Sequence, residues 1–177
     1  MSTFRPQLNG PGTAFMYAGG TVPLAFSLRV RDVTRQSESY GTEIPVVPES
    51  QAIAGVPILL NDIPRDVDSR IMLRIYDFDG PTGGKADVEV HFDDASPNEQ
   101  FALDSLDLPG GAQQEFPSIP GYVQVDLTSE LATLDVPFVK NAKSLRVSVT
   151  AAQKRIWAFV TVTNNRTQQI TTITPRQ

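Results

Sequence analysis

Lys154-Arg-Ile-Trp-Ala-Phe-Val-Thr-Val-Thr163, closed by Asn164-Asn165, is the stretch that decides the fold. Side chains alternate across a strand, so Ile156, Ala158, Val160 and Val162 share one face while Trp157, Phe159, Thr161 and Thr163 share the other. Both faces are apolar or β-branched. A half-exposed strand would carry one polar face, so this one is expected to be central and covered on both sides. At about ten residues it also exceeds the usual five or six.

Working outward, the neighbours read as strands too. Leu145, Val147 and Val149 alternate with Arg146 and Ser148, and Gln168 to Thr174 gives a last strand rich in threonine and isoleucine. In Arg70 to Asp77, Ile71, Leu73 and Ile75 are expected to point inward. In Ala86 to Phe92, Val88, Val90 and Phe92 do so, with Glu89 and His91 outward. The Gly- and Pro-rich loop Phe78 to Lys85 joins these two strands and reads as a hairpin connection. Val56 to Leu60 is a short strand followed by a loop, Asn61 to Asp66. Tyr122 to Leu127 is another strand. Thr128 to Leu134 fits one or two helical turns with Thr128 or Ser129 as N-cap, ended by Pro137.

Toward the N-terminus, Val22 to Val33 alternates as a half-buried strand, and the polar Thr34 to Ser39 reads as a hairpin tip. Tyr40 to Pro48 is extended, but Pro45 and Pro48 lack ladder donors and confine it to an edge or a crossing between sheets. Residues 1–20 read as an N-terminal arm or edge strand between turns. Asp93 to Pro120 is long and polar, with apolar islands at Phe101-Ala-Leu103 and Leu106-Asp-Leu108. A connection of that length implies missed edge strands or a functional loop. The sum is one domain over residues 1–177: an all-β, antiparallel β-sandwich of roughly ten strands, immunoglobulin-like or jelly-roll-like, larger than a sandwich of about seven strands.

Composition agrees. Forty per cent hydrophobic and 20% charged residues are ordinary globular values. A net charge of −5 gives no basic excess for nucleic acid. No cysteine is present, which removes disulfides, zinc-thiolate sites and a cysteine nucleophile. No apolar run approaches the roughly 18 residues of a membrane span. Met1-Ser-Thr-Phe-Arg-Pro has no apolar h-region, so the sequence is read as lacking a signal peptide, either a cytoplasmic protein or a fragment.

Charge is uneven along the chain. Nine acidic residues and one base, Lys85, fall between Asp77 and Asp107, whereas after Asp135 there are seven bases and no acid. Either the two regions lie side by side in space, or the surface is polarised and supports head-to-tail contacts or binding of an acidic partner.

Trp157-Ala-Phe-Val-Thr-Val-Thr-Asn-Asn-Arg-Thr-Gln-Gln-Ile, ending in Pro175, resembles a strand-turn-strand signature of uncharacterised β-sandwich repeats in secreted multidomain bacterial proteins. Tyr40-Gly-Thr-Glu-Ile-Pro-Val-Val-Pro, Arg70-Ile-Met-Leu-Arg-Ile-Tyr-Asp with Asp79-Gly80, and Gly121-Tyr-Val-Gln-Val are similar to its other segments, in the same order, over about residues 22 to 175. Glu43 stands where that pattern has glycine, and Ile75-Tyr76 where it has a polar turn residue. The resemblance implies a non-catalytic extracellular structural or adhesive module, secreted or at the cell surface. Its implied partners are other domains or copies of the same protein and cell-surface or extracellular polymers. It supplies no catalytic residue and no cofactor. The alternatives are a calcium- or carbohydrate-binding module, or a subunit of a filament or virion assembly.

The chemistry that could be present is thin. His91, the single histidine, shares an outward face with Glu89 and Asp93, a row that would suit a divalent metal if another strand added a ligand; a wet strand face carries the same residues. No Gly-x-Ser-x-Gly elbow exposes a nucleophile. Carboxylate pairs for glycoside hydrolysis are too abundant to point anywhere, and Trp157, the natural sugar platform, is expected to be buried. Asn165-Arg-Thr167 is a sequon whose expected role is a turn. Asp77-Phe-Asp79-Gly80 could begin a calcium loop, but Pro81 and Val88 stand where an EF-hand needs oxygen ligands. The expectation is an Asp-Gly turn and no catalytic, cofactor or metal site.

Overall fold

The computed structural model describes residues 27–30, 42–79, 82–92, 100–110, 121–134, 139 and 142–175. The N-terminal arm over 1–20, the tip at 34–39 and the stop at Pro137 lie outside the described residues. The described strands are β1 (Leu28–Val30), β2 (Thr42–Ile44), β3 (Ile58–Pro64), β4 (Ser69–Asp77), β5 (Gly84–Phe92), β6 (Gln100–Leu108), β7 (Gly121–Asp126), β8 (Ser144–Thr150), β9 (Ile156–Asn164) and β10 (Ile170–Ile173). A short helix, α1, spans Leu127–Ala132. The fold is all-β and sandwich-like, with two four-stranded antiparallel sheets in the orders β10-β9-β4-β7 and β3-β8-β5-β6, beside a small β1-β2 ladder.

From β3 to β9 the chain changes sheet at every connection except β5 to β6. That order of visits is that of a jelly roll, whereas an immunoglobulin sandwich is built largely from hairpins within one sheet. Here β10 occupies the outer edge of its sheet, next to β9. β9 is central and buried over Ile156 to Val162, as its two apolar faces require.

Between the sheets lies one apolar cluster assembled from alternate residues: Ile71, Leu73 and Ile75 of β4 with Ile156, Ala158, Val160 and Val162 of β9, against Val88, Val90 and Phe92 of β5 with Leu145, Val147 and Val149 of β8. Registers such as Leu73↔Val160 and Val90↔Val147 put these side chains level with one another. Each such side chain, fully withdrawn from water, stabilises the fold by roughly 1.5–3 kcal/mol.

The clean alternation of β4 and β5 is real, but the hairpin expected between them does not form. β4 pairs with β7 and β9, β5 pairs with β6 and β8, and the segment between them crosses from one sheet to the other. The long 93–120 connection holds an edge strand, as its length implied: both apolar islands belong to β6. Val88 faces Leu103 and Ala86 faces Leu106, so one extra residue is inserted on β6. The loop expected at Asn61 to Asp66 largely continues β3 through a second bulge. Leu60 and Ile63 are both buried, and Asp62 between them takes φ of 56°.

The N-cap of α1 is Asp126, the last residue of β7, rather than Thr128 or Ser129. Its carboxylate accepts the Thr128 and Ser129 N–H groups at 3.1 and 3.3 Å. The Thr128 hydroxyl instead accepts the Ile71 N–H at 2.7 Å, tying the helix to β4.

Candidate functional site

Ionisable side chains converge where β4 ends and β9 begins. Ile156 of β9 is level with Asp77 of β4, and the pairing runs one step further as the Phe78 N–H donates to the Arg155 carbonyl at 2.9 Å. The two bases that open the β9 stretch therefore arrive beside the two aspartates that close β4. Asp77 continues the parity of Ile71, Leu73 and Ile75, so it faces the sandwich interior and is 0% exposed. Lys154 Nζ lies 3.5 Å from Asp77 Oδ2 and also donates to the Thr82 carbonyl. Asp77 Oδ1 accepts the Asp79 N–H at 2.9 Å, while Oδ2 has no hydrogen-bond partner.

Asp79 sits on the outside of the same turn. Its Oδ2 accepts the Arg155 backbone N–H at 2.5 Å and its Oδ1 accepts Arg155 Nε at 2.6 Å. Burial raises the Asp79 pKa, but the Arg155 hydrogen bonds and charge, with Lys154 nearby, outweigh it and hold the carboxyl below its ordinary value. The same contact raises Arg155 above its ordinary value. Arg155 Nη2 continues to Glu49 Oε1 at 3.2 Å, adding the short 3₁₀ turn Glu49–Gln51 to the cluster. The carboxylates considered as the start of a calcium loop are thus each engaged by a base of their own chain. Gly80 and Asp93 lie outside the described residues, and no group of three or more metal-binding side chains occurs among those described.

His91 is on the outer face of β5, level with Arg146 of β8, and its Nε2 is 3.6 Å from Glu89 Oε2. That face also carries Lys85, paired with Asp107, and the exposed Asp87. It is wet and polar.

The outer face of the other sheet differs. Tyr122, Tyr76, Phe159 and Trp157 form a row across β7, β4 and β9, with ring centroids 6.0, 6.1 and 5.4 Å apart. Arg74 lies over Phe159 at 5.5 Å and is held by the Gln124 side-chain oxygen and the Thr161 hydroxyl. Trp157 is buried, as expected, at 8% exposure, and Tyr76 and Tyr122 are half-buried. Trp157 also forms part of the floor of a groove of about 320 Å³ between Pro45-Val46-Val47, Ile53 and Thr174-Pro175. Ile53 reaches it through a two-way backbone bridge to Ile156.

Sequence reasoning missed the Lys154–Asp77 and Arg155–Asp79 pairs and the aromatic row, since each needs the β4–β9 register. The charge imbalance was the visible signal of the ion pairs, and the shared strand face of Trp157 and Phe159 that of the row. Arg166 with Asp68 at 3.5 Å repeats the theme at the other end of β9. The Asn165-Arg-Thr167 sequon lies in the β9–β10 turn, where Asn164 Oδ1 accepts the Arg166 and Thr167 N–H groups. No helix among the described residues is long and apolar enough to cross a membrane. No family model, curated protein or solved structure matches the chain.

Proposed function

We propose that this chain is a non-catalytic structural or adhesive β-sandwich module of a larger extracellular bacterial protein, working through contacts with neighbouring domains, further copies or surface polymers. The observation that carries the reading is the end cluster. Asp77, Asp79, Lys154 and Arg155 are the side chains best placed for chemistry, and they are spent on each other, tying β4 to β9 and Glu49. A catalytic acid or base has to reach a substrate proton, within about 3 Å or through one water. The order of motifs along residues 22 to 175 supplies the extracellular part of the reading. Fractionation of the producing cells tests it: the protein is expected in the medium or the surface fraction, and recovery from the cytosol alone overturns it.

A polymer-binding role is favoured by one further observation. Tyr76 and Tyr122 are half-buried neighbours with rings 27° apart in plane, flanked by Arg74 and the exposed Gln124. Aromatic faces beside planar hydrogen-bonding groups suit saccharides. Affinity electrophoresis in polysaccharide gels is expected to show retardation that Tyr122→Ala abolishes; equal migration of both proteins in every gel discards this role.

A further inference from the structure

Buried carboxylates normally satisfy both oxygens, because a desolvated charge with an idle oxygen costs more than its ion pair returns. Asp77 departs from this. It is fully enclosed, its Oδ1 takes the Asp79 N–H, and its Oδ2 has no hydrogen-bond partner although Lys154 Nζ stands 3.5 Å away. The lysine is installed rather than stray. Its side chain is only 12% exposed, its ammonium is oriented by the Thr82 carbonyl, and its stem passes so close to Gly84 that a Cβ there would lie 2.9 Å from Lys154 Cγ.

We propose that Lys154 and Asp77 become joined by an intramolecular amide between Nζ and Cγ, a covalent bridge from the end of β4 to the start of β9. The inference does not depend on the extracellular reading. In the first step one ammonium proton moves to Oδ2, which frees the nitrogen lone pair to act as nucleophile. The amine then adds to Cγ, and negative charge develops on Oδ1, where the Asp79 N–H already sits at 2.9 Å to receive it. Collapse of this adduct breaks the Cγ–Oδ2 bond. Oδ2 leaves as water with two of the three protons of the original ammonium, and the third remains on the amide nitrogen. Nothing is oxidised or reduced. Holding Nζ 3.5 Å from Oδ2 of the same carboxyl supplies the proximity that such a condensation lacks in free solution.

The test is the intact mass of the purified, denatured full chain. The expected value is one water below the sequence mass, with a branched tryptic peptide joining the segments around Asp77 and Lys154. Lys154→Arg, which keeps the charge but cannot form this amide, is expected at full sequence mass with a retained β spectrum. Should that variant not fold, the wild-type mass and peptide map decide alone. Wild-type protein at full mass, with Lys154 in a linear peptide after prolonged incubation, overturns the proposal. So does a water loss that fragmentation places at Asp79-Gly80 as a succinimide.

Discussion

Arg155 holds Asp79 at two points, through its backbone N–H at 2.5 Å and its Nε at 2.6 Å, so one residue supplies both a strand-end donor and a charge. The turn after β4 is thereby fastened to the start of β9 from outside, one step beyond the last level pair, Asp77 and Ile156.

A pH dependence follows. Asp79 is held below its ordinary pKa of 3.8, so the folded state binds its proton less readily than the unfolded chain. Its contribution is fully present above the unfolded value and is lost as pH falls through the folded one. Asp79→Asn should cost roughly 1 kcal/mol near neutral pH, because Arg155 is close to half exposed and solvent screens the pair. Melting temperatures of the two proteins, measured against pH, should converge as pH falls below 3.8 and through the lower folded-state value. A constant gap down to that pH would assign the effect to something other than this carboxylate's charge.

Calcium should leave stability unchanged. The ion takes about six to eight oxygens, whereas Asp77 and Asp79 are committed to Lys154 and Arg155. Thermal melts with millimolar calcium and with EDTA should superimpose. A rise of several degrees in calcium, abolished by Asp79→Ala, would reverse this.

Gly121→Ala should be far worse than Gly55→Ala. A Cβ on Gly121 would lie 1.7 Å from the Pro109 carbonyl oxygen, a backbone atom that can retreat only by moving β6's exit, so a cost of about 3 kcal/mol or more is expected. Gly55 has open space around it and needs only its φ of 69°, at roughly 1 kcal/mol. Urea titrations of both variants measure the contrast, and equal midpoints would refute it.

Trp157→Ala should cost on the order of 3–5 kcal/mol, the range for large core truncations. Its ring is buried against Phe159 on the outer face, away from the cluster between the sheets. Calorimetry that found it near-neutral would mean the groove beside it closes over the gap.

Association should be insensitive to salt. The acidic middle and basic end of the chain interleave through Lys154–Asp77, Arg155–Asp79 and Arg166–Asp68, and acidic β5 lies beside β8 with Arg146. Sedimentation should give one and the same species at low ionic strength and at ~0.15 M, where the Debye length is ~8 Å. Dimers appearing only at low salt would restore the polarised surface.

What could be read from the residues was the face each side chain takes. Alternation at Ile71, Leu73 and Ile75, or at Val88, Val90 and Phe92, says which way a strand faces but not which strand it pairs with, and Gly-Pro turns serve crossovers as readily as hairpins. The bulges hid more. Phe101, Leu103, Leu106 and Leu108 look like two fragments because the inserted residue breaks the period of two; Leu60 and Ile63 were separated in the same way. Asp126 escaped notice as a cap because a polar outward residue is what the end of β7 should have. The pairing of Asp77 with Lys154 spans 77 positions of chain, and no local pattern encodes it.

β2 and β10 touch through side chains rather than a ladder. The Thr42 hydroxyl donates to the Ile170 carbonyl at 3.3 Å and the Thr172 hydroxyl to the Glu43 carbonyl at 3.2 Å. A load drawing these strands apart meets those two contacts first, then the four level pairs of β10 with β9, and only afterwards the nine of β9 with β4. The sandwich therefore has a graded mechanical response: a weak outer seam yields and lengthens the chain while the inner ladders, which enclose the core, still carry no extension.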